Sequence, residues 1–291
     1  MENIFIKELI NLFSEEKERI EYIEENLKGE FEKQLFNASI NNLLDIYNPL
    51  RINNFSFAVR ELIYYILEKQ APEEKVKECL WYESENERNK PTRRQKIYYL
   101  LHQNFPEEFI KSASKEIYKN YKEIESNLID TLGQLSKFTH IREKVFNMPI
   151  EEQTKNIKET VHVLYKVFKN IDKTKTLKDK FIQDISIPIF NEFISKHFDE
   201  LDTLATHYYI EDVYIEDFEL IDDDDEHYFL KLEGSVSCCH QFGSDTDVRK
   251  DDGFIFSSSY PVEISITVDK NEPLNLEYFE IKDIHIDTKD Y

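Results

Sequence analysis

Apolar residues recur at helical spacing through the first two-thirds of the chain. Two such stripes are Ile157, Val161, Leu164, Phe168 and Ile171, and Ile117, Tyr121, Ile124, Leu128, Leu132 and Leu135. Steps of three and four residues keep these side chains on one face of a helix. The segment 55–67 is apolar almost all round, which is typical of a helix buried inside a bundle. The pattern predicts an α-helical bundle over residues 1–206.

Prolines punctuate this helical region. They fall between the apolar segments at Pro49, Pro72, Pro91, Pro106 and Pro149. Because proline lacks a backbone N–H and disfavours helix at the preceding residue, these positions predict helix boundaries. Pro188 lies inside an apolar run instead, and it is expected to kink or restart the last helix.

The hydrophobic period changes after residue 207. Val262, Ile264, Ile266 and Val268 alternate with polar neighbours, as in a half-buried strand. Turn-forming segments at 222–226 and 243–253 separate such runs, and no crossover helix fits between them. We therefore predict an α+β protein. Its helical bundle at 1–206 is followed by an antiparallel β domain at 207–291, a meander or a small sandwich.

The charge balance restricts the partners that the chain can bind. It has 59 Asp and Glu against 37 Lys and Arg, a formal net charge of −22, which repels phosphate at long range. Broad, non-specific binding of nucleic acid is therefore disfavoured, whereas a local basic patch or a basic partner protein fits. Segment 211–226 holds ten acidic residues and no Lys or Arg, which is typical of a solvated hairpin edge and also suits docking of a partner.

The cysteine inventory and the termini indicate the compartment. Cys79, Cys238 and Cys239 show no CxxC or His-Cys metal spacing, which is typical of a reduced, cytoplasmic protein. The N-terminus lacks the basic and apolar regions of a signal peptide, and no apolar stretch approaches the length of a membrane span. We expect a cytoplasmic protein without a membrane partner.

The loop 243–253 is the first candidate for chemistry. Two of the five glycines in the chain bracket the carboxylates of Asp245, Asp247, Asp251 and Asp252. Clustered carboxylates repel one another unless a cation compensates them, so the loop predicts a site for Mg²⁺ or Mn²⁺. The calcium-loop template does not fit, and the alternative is a solvated surface turn. No organic cofactor is indicated.

A basic cluster at 90–96 is the second candidate. Arg93, Arg94 and Lys96 stand where a helix should begin, with Thr92 as its N-cap. A helix N-terminus and arginine side chains both favour phosphate, so the cluster predicts a contact with nucleic acid. The alternative is intramolecular, because these arginines can also pair with carboxylates of the same chain.

Two histidines are candidates for proton transfer. Lys137 and His140 lie near the end of a predicted helix, and His207 lies where the strands begin. A histidine titrates near neutral pH, although one at a helix end is more often a cap than a catalyst. Glu280-Ile281-Lys282 also matches the acid-x-Lys element of PD-(D/E)xK nucleases, but acids and lysines are so frequent here that chance matches are expected.

Several strings together resemble one family of bacterial proteins. They are Asn48-Pro49-Leu50-Arg51 with Asn54-Phe55 and Arg60-Glu61, Thr92-Arg93-Arg94-Gln95, Leu135-Ser136-Lys137-Phe138-Thr139-His140, Ala205-Thr206-His207-Tyr208, and Gly243-Ser244-Asp245-Thr246-Asp247-Val248-Arg249 with Asp252-Gly253. The chain, from about residue 45 onward, resembles the predicted PIWI-associating nuclease family. The resemblance implies a nuclease from prokaryotic conflicts with phages and mobile elements. It places Arg51, Arg60, Arg93, Lys137, His140, His207, Asp247 and Arg249 in family-like motifs, without assigning their roles.

These observations lead to two functional hypotheses. The first is a bacterial defence nuclease that hydrolyses phosphodiester bonds with a metal at Asp245, Asp247, Asp251 and Asp252. In it, Arg93, Arg94, Lys96 and Lys137 contact phosphate, and His140, His207 or Asp247 takes part in catalysis. The second is a non-catalytic adaptor or sensor whose acidic surface docks a partner defence protein. A homo-oligomer is compatible with either.

Overall fold

Helices fill the first two-thirds of the chain, as the apolar stripes predict. The computed structural model describes residues 2–103 and 105–289. Its helices are α1 (Glu2–Asn26), α2 (Glu30–Leu44), α3 (Arg51–Gln70), α4 (Glu73–Lys77), α5 (Arg93–His102), α6 (Glu107–Ala113), α7 (Lys115–Phe138), α8 (Glu143–Phe146), α9 (Ile150–Ser195) and α10 (Asp199–Asp202). None of the helices in this described part is both long and apolar enough to cross a membrane.

The prolines mark helix boundaries at most of the expected places. Pro72 and Pro106 are the N-cap residues of α4 and α6. Pro188 does not restart a helix, however, because α9 continues through it to Ser195. The loss of one backbone hydrogen bond is offset there by packing, since three apolar residues close to the proline are completely buried. These residues are Ile185, Ile189 and Phe193.

The chain packs into two compact units. The first comprises Met1–Gln103 and Glu116–Thr174, and the second comprises Asn104–Lys115 and Lys175–Tyr291. The boundary predicted after residue 206 marks the change from helix to strand, which occurs between α10 and His207. The division between units lies earlier, within α9. Aromatic packing inside the second unit explains this difference, because Phe181 of α9 lies 4.6 Å from Phe218 between ring centroids.

The first unit has a continuous apolar core. Both predicted stripes contribute to it: Ile124, Leu128, Leu132 and Leu135 from α7, and Ile157, Val161, Leu164 and Phe168 from α9. The almost wholly apolar segment of α3 lies in the same core through Phe55, Val59, Leu62, Ile63, Ile66 and Leu67. Burial of this apolar surface is the main favourable contribution to folding of the unit.

The second unit carries a four-stranded antiparallel sheet. Its strands are β1 (His207–Asp223), β2 (His227–Phe242), β3 (Phe254–Asp269) and β4 (Glu280–Ile286). Their order in the sheet is that of the chain, which confirms the predicted meander and the α+β class. A short 3₁₀ helix (Leu276–Tyr278) lies between β3 and β4.

Edge strand β1 is bulged at regular intervals. Its register with β2 shifts three times, at Glu211, Glu216 and Ile221, each time before an aspartate. Each of these aspartates, Asp212, Asp217 and Asp222, accepts a hydrogen bond from the backbone N–H of the following residue. Bulges and charges on an edge strand oppose pairing with another chain. The acidic tract 211–226 is thus a bulged edge and its hairpin turn, as the solvated-edge interpretation predicted.

Candidate functional site

The turn between α9 and β1 projects three potential metal ligands into solvent. Phe198 and Leu201 are buried and anchor the short helix α10. The backbone N–H of Phe198 also donates to the Tyr208 hydroxyl at 2.8 Å, which ties the turn to β1. With the apolar residues of the turn directed inward, the side chains of His197, Asp199 and Asp202 are exposed.

These three side chains converge. Their ligand atoms all lie within 4.8 Å of one another, and His197 Nε2 contacts Asp202 Oδ2. Two ligands about 2.1 Å from one ion lie at most about 4.2 Å apart, so small side-chain adjustments suffice for shared coordination. Within the part of the chain that the structure describes, no other group of three or more His, Cys, Asp or Glu side chains meets this criterion.

The cluster borders a cavity of about 490 Å³ in the second unit. Residues that line it include His197, Asp202, Lys196 and His207. His207 is one of the two histidines expected to transfer protons, and the structure places it in the same cavity as two potential metal ligands. Lys196 adds a positive charge at this wall and forms an ion pair with Glu192 at 3.0 Å.

An aromatic row crosses the sheet beside this cavity. The His197 ring lies 6.0 Å from the Tyr208 ring. Tyr208 is the cross-strand partner of His240, which in turn pairs with Phe256, so all three share one face of the sheet. One pair further along, the Phe242 and Phe254 rings stack at 4.7 Å between centroids. Phe254 and Phe256 are exposed, so this end of the face presents aromatic rings to solvent.

Burial changes the titration of two members of this row. It lowers the pKa of His240 below the usual histidine range, which keeps the ring neutral at neutral pH. The His240 Nε2 atom lies 2.9 Å from the Tyr260 hydroxyl. Burial also raises the pKa of Tyr208, although the N–H of Phe198 opposes this shift by favouring the phenolate. Neither of these two rings is charged at neutral pH, so Tyr208 and His240 add no charge to this face of the sheet.

Polar side chains of the loop 243–253 form hydrogen bonds that stabilise the fold of the loop. It contains the short helix α11 (Asp245–Arg249), which is capped by Ser244. Asp247 Oδ2 accepts hydrogen bonds from the Ser244 N–H at 2.8 Å and from its hydroxyl at 2.7 Å, and these bonds lower the pKa of Asp247. Asp245 accepts from the Gln241 amide at 3.0 Å.

The backbone conformation of this loop requires glycine at both positions. Gly243 has a φ of +87°, and a Cβ atom on Gly253 would lie 2.5 Å from the Phe242 carbonyl oxygen. The loop therefore needs glycine for its backbone, independently of any metal. The structure does not bring Asp245, Asp247, Asp251 and Asp252 together as a converging group of ligands among the residues that it describes.

The two neighbouring arginines of the basic cluster point to different places. Thr92 is the N-cap of α5, as predicted, and accepts from the Gln95 N–H. Arg94 pairs with the buried Glu125 at 3.3 Å, which matches the intramolecular alternative for this residue. Arg93 lies over the Tyr64 ring at 4.9 Å, and together with Lys96 it lines a cavity in the first unit.

Lys137 and His140 lie at the exposed end of α7. They do not line the cavity of Arg93 and Lys96. The same helix end is held by α3, because Asn53 donates to the Phe138 carbonyl at 2.7 Å and Arg60 donates to the Thr139 hydroxyl at 3.2 Å. Arg60, one of the family-like residues, therefore secures a helix terminus. Asp247 and His207 belong to the other unit.

Sequence reasoning missed His197, Asp199 and Asp202. The available signal was the spacing His-x-Asp-x-x-Asp at 197–202, immediately after a long predicted helix. It was less conspicuous than the loop 243–253 because only two acids belong to the group and glycine is absent. The alternation of apolar Phe198 and Leu201 with the polar residues was the feature that could have indicated which side chains face solvent.

Comparison with known proteins identifies a family. Two family models, both described as predicted pPIWI-associating nuclease, match residues 24–164 and 170–291. Searches of curated proteins and of solved structures gave no match. The two models meet within α9, close to the division between the compact units. Together they span nearly the whole sequence, and the chain therefore belongs to the family of predicted pPIWI-associating nucleases.

Proposed function

We propose that this protein is a nuclease that hydrolyses phosphodiester bonds with a divalent cation held by His197, Asp199 and Asp202. The observation that carries the proposal is the convergence of these three side chains, two of which, His197 and Asp202, line the cavity that also contains His207. The nuclease description of the family agrees with it. The proposed site replaces the loop 243–253 as the location of the metal.

The donor set restricts the cation. One imidazole and two carboxylates suit Mn²⁺, which accepts both donor types, better than Mg²⁺, which prefers oxygen ligands. When bound, such a cation polarises the phosphoryl oxygens and makes water a stronger acid. We therefore expect Mn²⁺ to support hydrolysis better than Mg²⁺.

Other residues of the cavity supply the remaining functions. His207 is exposed at the start of β1, where its ring can accept a proton from attacking water or donate one to the leaving oxygen. Lys196 binds a phosphate oxygen as a point charge on a flexible side chain. The carboxylates of Asp199 and Asp202 would repel a phosphate without a cation, so substrate binding and metal binding are expected to be coupled.

The aromatic end of the sheet supports nucleic acid as the substrate. Phe254 and Phe256 are exposed and lie on the same face as Tyr208, next to the cavity. Bases of an unpaired strand stack on such rings regardless of sequence. Arg249 and Lys250 belong to the loop that joins β2 and β3 at this end of the sheet, and we expect them to contact phosphates of the bound strand. The proposed substrate is therefore single-stranded nucleic acid.

The biological setting follows from the family. Its description names association with pPIWI proteins, and we propose such a protein as the partner of this chain, in bacterial defence and in the cytoplasm. The partner would bring the nuclease to its target. It would also reduce the need for strong intrinsic affinity, which a net charge of −22 disfavours.

A cleavage assay tests the proposal. Full-length protein is incubated with end-labelled single-stranded and double-stranded DNA and RNA, with Mn²⁺, Mg²⁺ or EDTA. Cleavage of single strands with Mn²⁺ is expected, with loss in EDTA and in Asp199→Asn. Glu200→Gln, on the same helix but outside the cluster, is the matched control and should cleave normally. Equal activity of Asp199→Asn and wild type would contradict the proposed centre.

The acidic edge of the sheet favours a second function. Strand β1 pairs with β2 and forms an edge of the sheet, where Glu211, Glu216 and Glu219 are exposed to solvent. A non-catalytic adaptor could dock a basic partner there. Under this alternative, Glu211→Lys/Glu216→Lys would abolish partner binding while Asp199→Asn would leave every measurable function intact. Loss of cleavage in Asp199→Asn with partner binding retained would exclude a purely non-catalytic role.

A further inference from the structure

A second cavity lies in the first unit, among α2, α3 and the start of α5. Its volume is about 560 Å³, within the range of small-molecule sites. The residues of its wall that bear on ligand chemistry are Phe31, Tyr64, Tyr65, Glu68, Arg93 and Lys96. The cavity therefore combines three aromatic rings with two cations, in a protein whose net charge is strongly negative.

The aromatic wall offers a stacking surface. The Phe31 and Tyr65 rings lie 5.0 Å apart between centroids at an angle of 60°, and Phe31 is about half exposed. Tyr64 and Tyr65 come from α3, whose opposite face is buried in the core, so the helix cannot rotate to hide these rings. A planar, electron-poor ring system is the natural ligand for such a surface.

The two cations of the wall, Arg93 and Lys96, come from α5. Arg93 is oriented by Tyr64, since its guanidinium lies 4.9 Å from the ring centroid. Among the residues that the structure describes, no carboxylate forms an ion pair with Arg93 or Lys96. The neighbouring Arg94 behaves differently, because Glu125 neutralises it at 3.3 Å. Arg93 and Lys96 are thus available to an external anion.

The wall also contains two carboxylates, Glu61 and Glu68, and two further cations lie near it. Glu61 accepts hydrogen bonds from the Arg60 guanidinium, the shorter at 2.7 Å, and is neutralised by it. Glu68 is exposed on the same face of α3, one turn beyond Tyr64. Lys69 lies above the Tyr65 ring at 5.6 Å and adds a further positive charge. Glu68 can accept hydrogen bonds from N–H or O–H groups of a ligand.

We propose that this cavity binds a nucleoside phosphate, either as a free nucleotide or as an unpaired nucleotide of a strand. The base stacks on one of the Tyr65 and Phe31 rings and contacts the edge of the other, and the phosphate is held by Arg93 and Lys96. Glu68 accepts from an exocyclic amino group or a sugar hydroxyl. Because the cavity belongs to the unit without the His197 cluster, this binding function is separate from hydrolysis and does not depend on the proposed metal centre.

The test is a binding titration of the full-length protein in EDTA, which excludes any contribution of a metal. The probes are AMP, adenosine, inorganic phosphate, and a short single-stranded oligonucleotide with and without a 5′-phosphate. AMP and the phosphorylated strand are expected to bind at least tenfold more tightly than adenosine or inorganic phosphate, since both halves of the ligand contribute. Binding of AMP identifies a free nucleotide as a ligand, whereas binding of the strand alone identifies a nucleotide within a strand.

Variants separate recognition from folding. Arg93→Ala and Tyr65→Ala are expected to weaken binding at least tenfold with little change in melting temperature. Arg94→Ala is the matched control: it should retain binding within about twofold but lower the melting temperature, because the buried Glu125 loses this ion pair. Absence of binding for every probe, or equal losses in Arg93→Ala and Arg94→Ala, would overturn the proposal.

Discussion

Two acidic turns in the second unit differ in what their carboxylates do. In the turn at 197–202, Asp199 and Asp202 converge with a histidine at a cavity. In the loop at 243–253, which has more acids, Asp247 is bonded to Ser244 and Asp245 to Gln241. The first turn directs apolar side chains inward and holds Asp199 and Asp202 beside His197 at the surface. The second uses Asp245 and Asp247 in hydrogen bonds that fold the loop.

The comparison shows that carboxylate density is a poor guide to a metal site. An aspartate near a glycine turn has backbone N–H groups within reach, and local bonds of this kind compete with coordination. A metal site instead needs carboxylates on a segment whose backbone N–H groups already have other hydrogen-bond acceptors. Helix α10 meets that condition, because its N-cap region is held by the Tyr208 hydroxyl rather than by its own acids.

The largest expected effect comes from removing acids in each turn separately. Asp199→Asn/Asp202→Asn should lower Mn²⁺-dependent cleavage more than about 100-fold, because two of three ligands lose their charge. Asp245→Asn/Asp252→Asn should retain cleavage within about threefold. Initial rates at saturating Mn²⁺ measure both. The comparison fails if the loop variant is the more damaged of the two.

The backbone of the loop 243–253 should be more sensitive than its acids. Gly253→Ala would place a Cβ atom 2.5 Å from the Phe242 carbonyl oxygen, so the loop must shift. We expect a loss of about 1–3 kcal/mol in the free energy of unfolding, measured by denaturant titration. Gly133→Ala is the control: no atom lies within 4 Å of its Cβ position in α7, and helix propensity should give a gain of about 0.5–1 kcal/mol. A neutral Gly253→Ala would contradict the structural role of this glycine.

Removing the cap of α11 should have a smaller effect. Ser244→Ala deletes the hydroxyl that accepts from the Asp247 N–H and donates to its carboxylate. The expected cost is about 1 kcal/mol in the free energy of unfolding, with cleavage activity unchanged. Thr246→Ala, an exposed position of the same helix, should be close to neutral. If Ser244→Ala abolished activity without destabilising the fold, the loop would have the catalytic role that we assign to the turn 197–202.

The smallest expected effect is a pH dependence of stability that comes from His240, a residue of β2. Burial lowers the pKa of His240 in the folded protein, whereas an unfolded histidine titrates near about 6.5. The unfolded state therefore binds more protons below that pH, and stability should fall as the pH decreases from 7.5 to 5.5. His240→Gln should reduce this loss of melting temperature, whereas His285→Gln, exposed on β4, should not. Parallel melting profiles for wild type and His240→Gln would show that His240 does not contribute.

Sequence periodicity was sufficient for the fold because it reports local geometry. The stripe of α7 and the alternation in β3 each depend on neighbours within one element, and both are confirmed. Pro188 is the exception. Its effect on α9 depends on burial of Ile185 and Ile189, which is a property of the packed unit.

The candidate site was less predictable because it depends on tertiary partners. Arg93 and Arg94 are chemically identical neighbours, but successive helical positions point about 100° apart, so one meets Tyr64 and the other Glu125. His207, a predicted site residue, lines a cavity, and its neighbours there come from the preceding turn rather than from the glycine loop. The local sequence pattern does not specify that the Tyr208 hydroxyl accepts a hydrogen bond from Phe198 and so holds the turn at 197–202.

Calorimetric titration with Mn²⁺ tests the central claim most directly. Wild type should bind one Mn²⁺ ion at the His197 cluster. His197→Ala should weaken this binding at least tenfold, and Asp245→Asn/Asp247→Asn should leave it unchanged. Both variants should keep their circular dichroism spectra. Retention of the Mn²⁺ signal in His197→Ala, with its loss in Asp245→Asn/Asp247→Asn, would contradict the account and return the metal to the loop at 243–253.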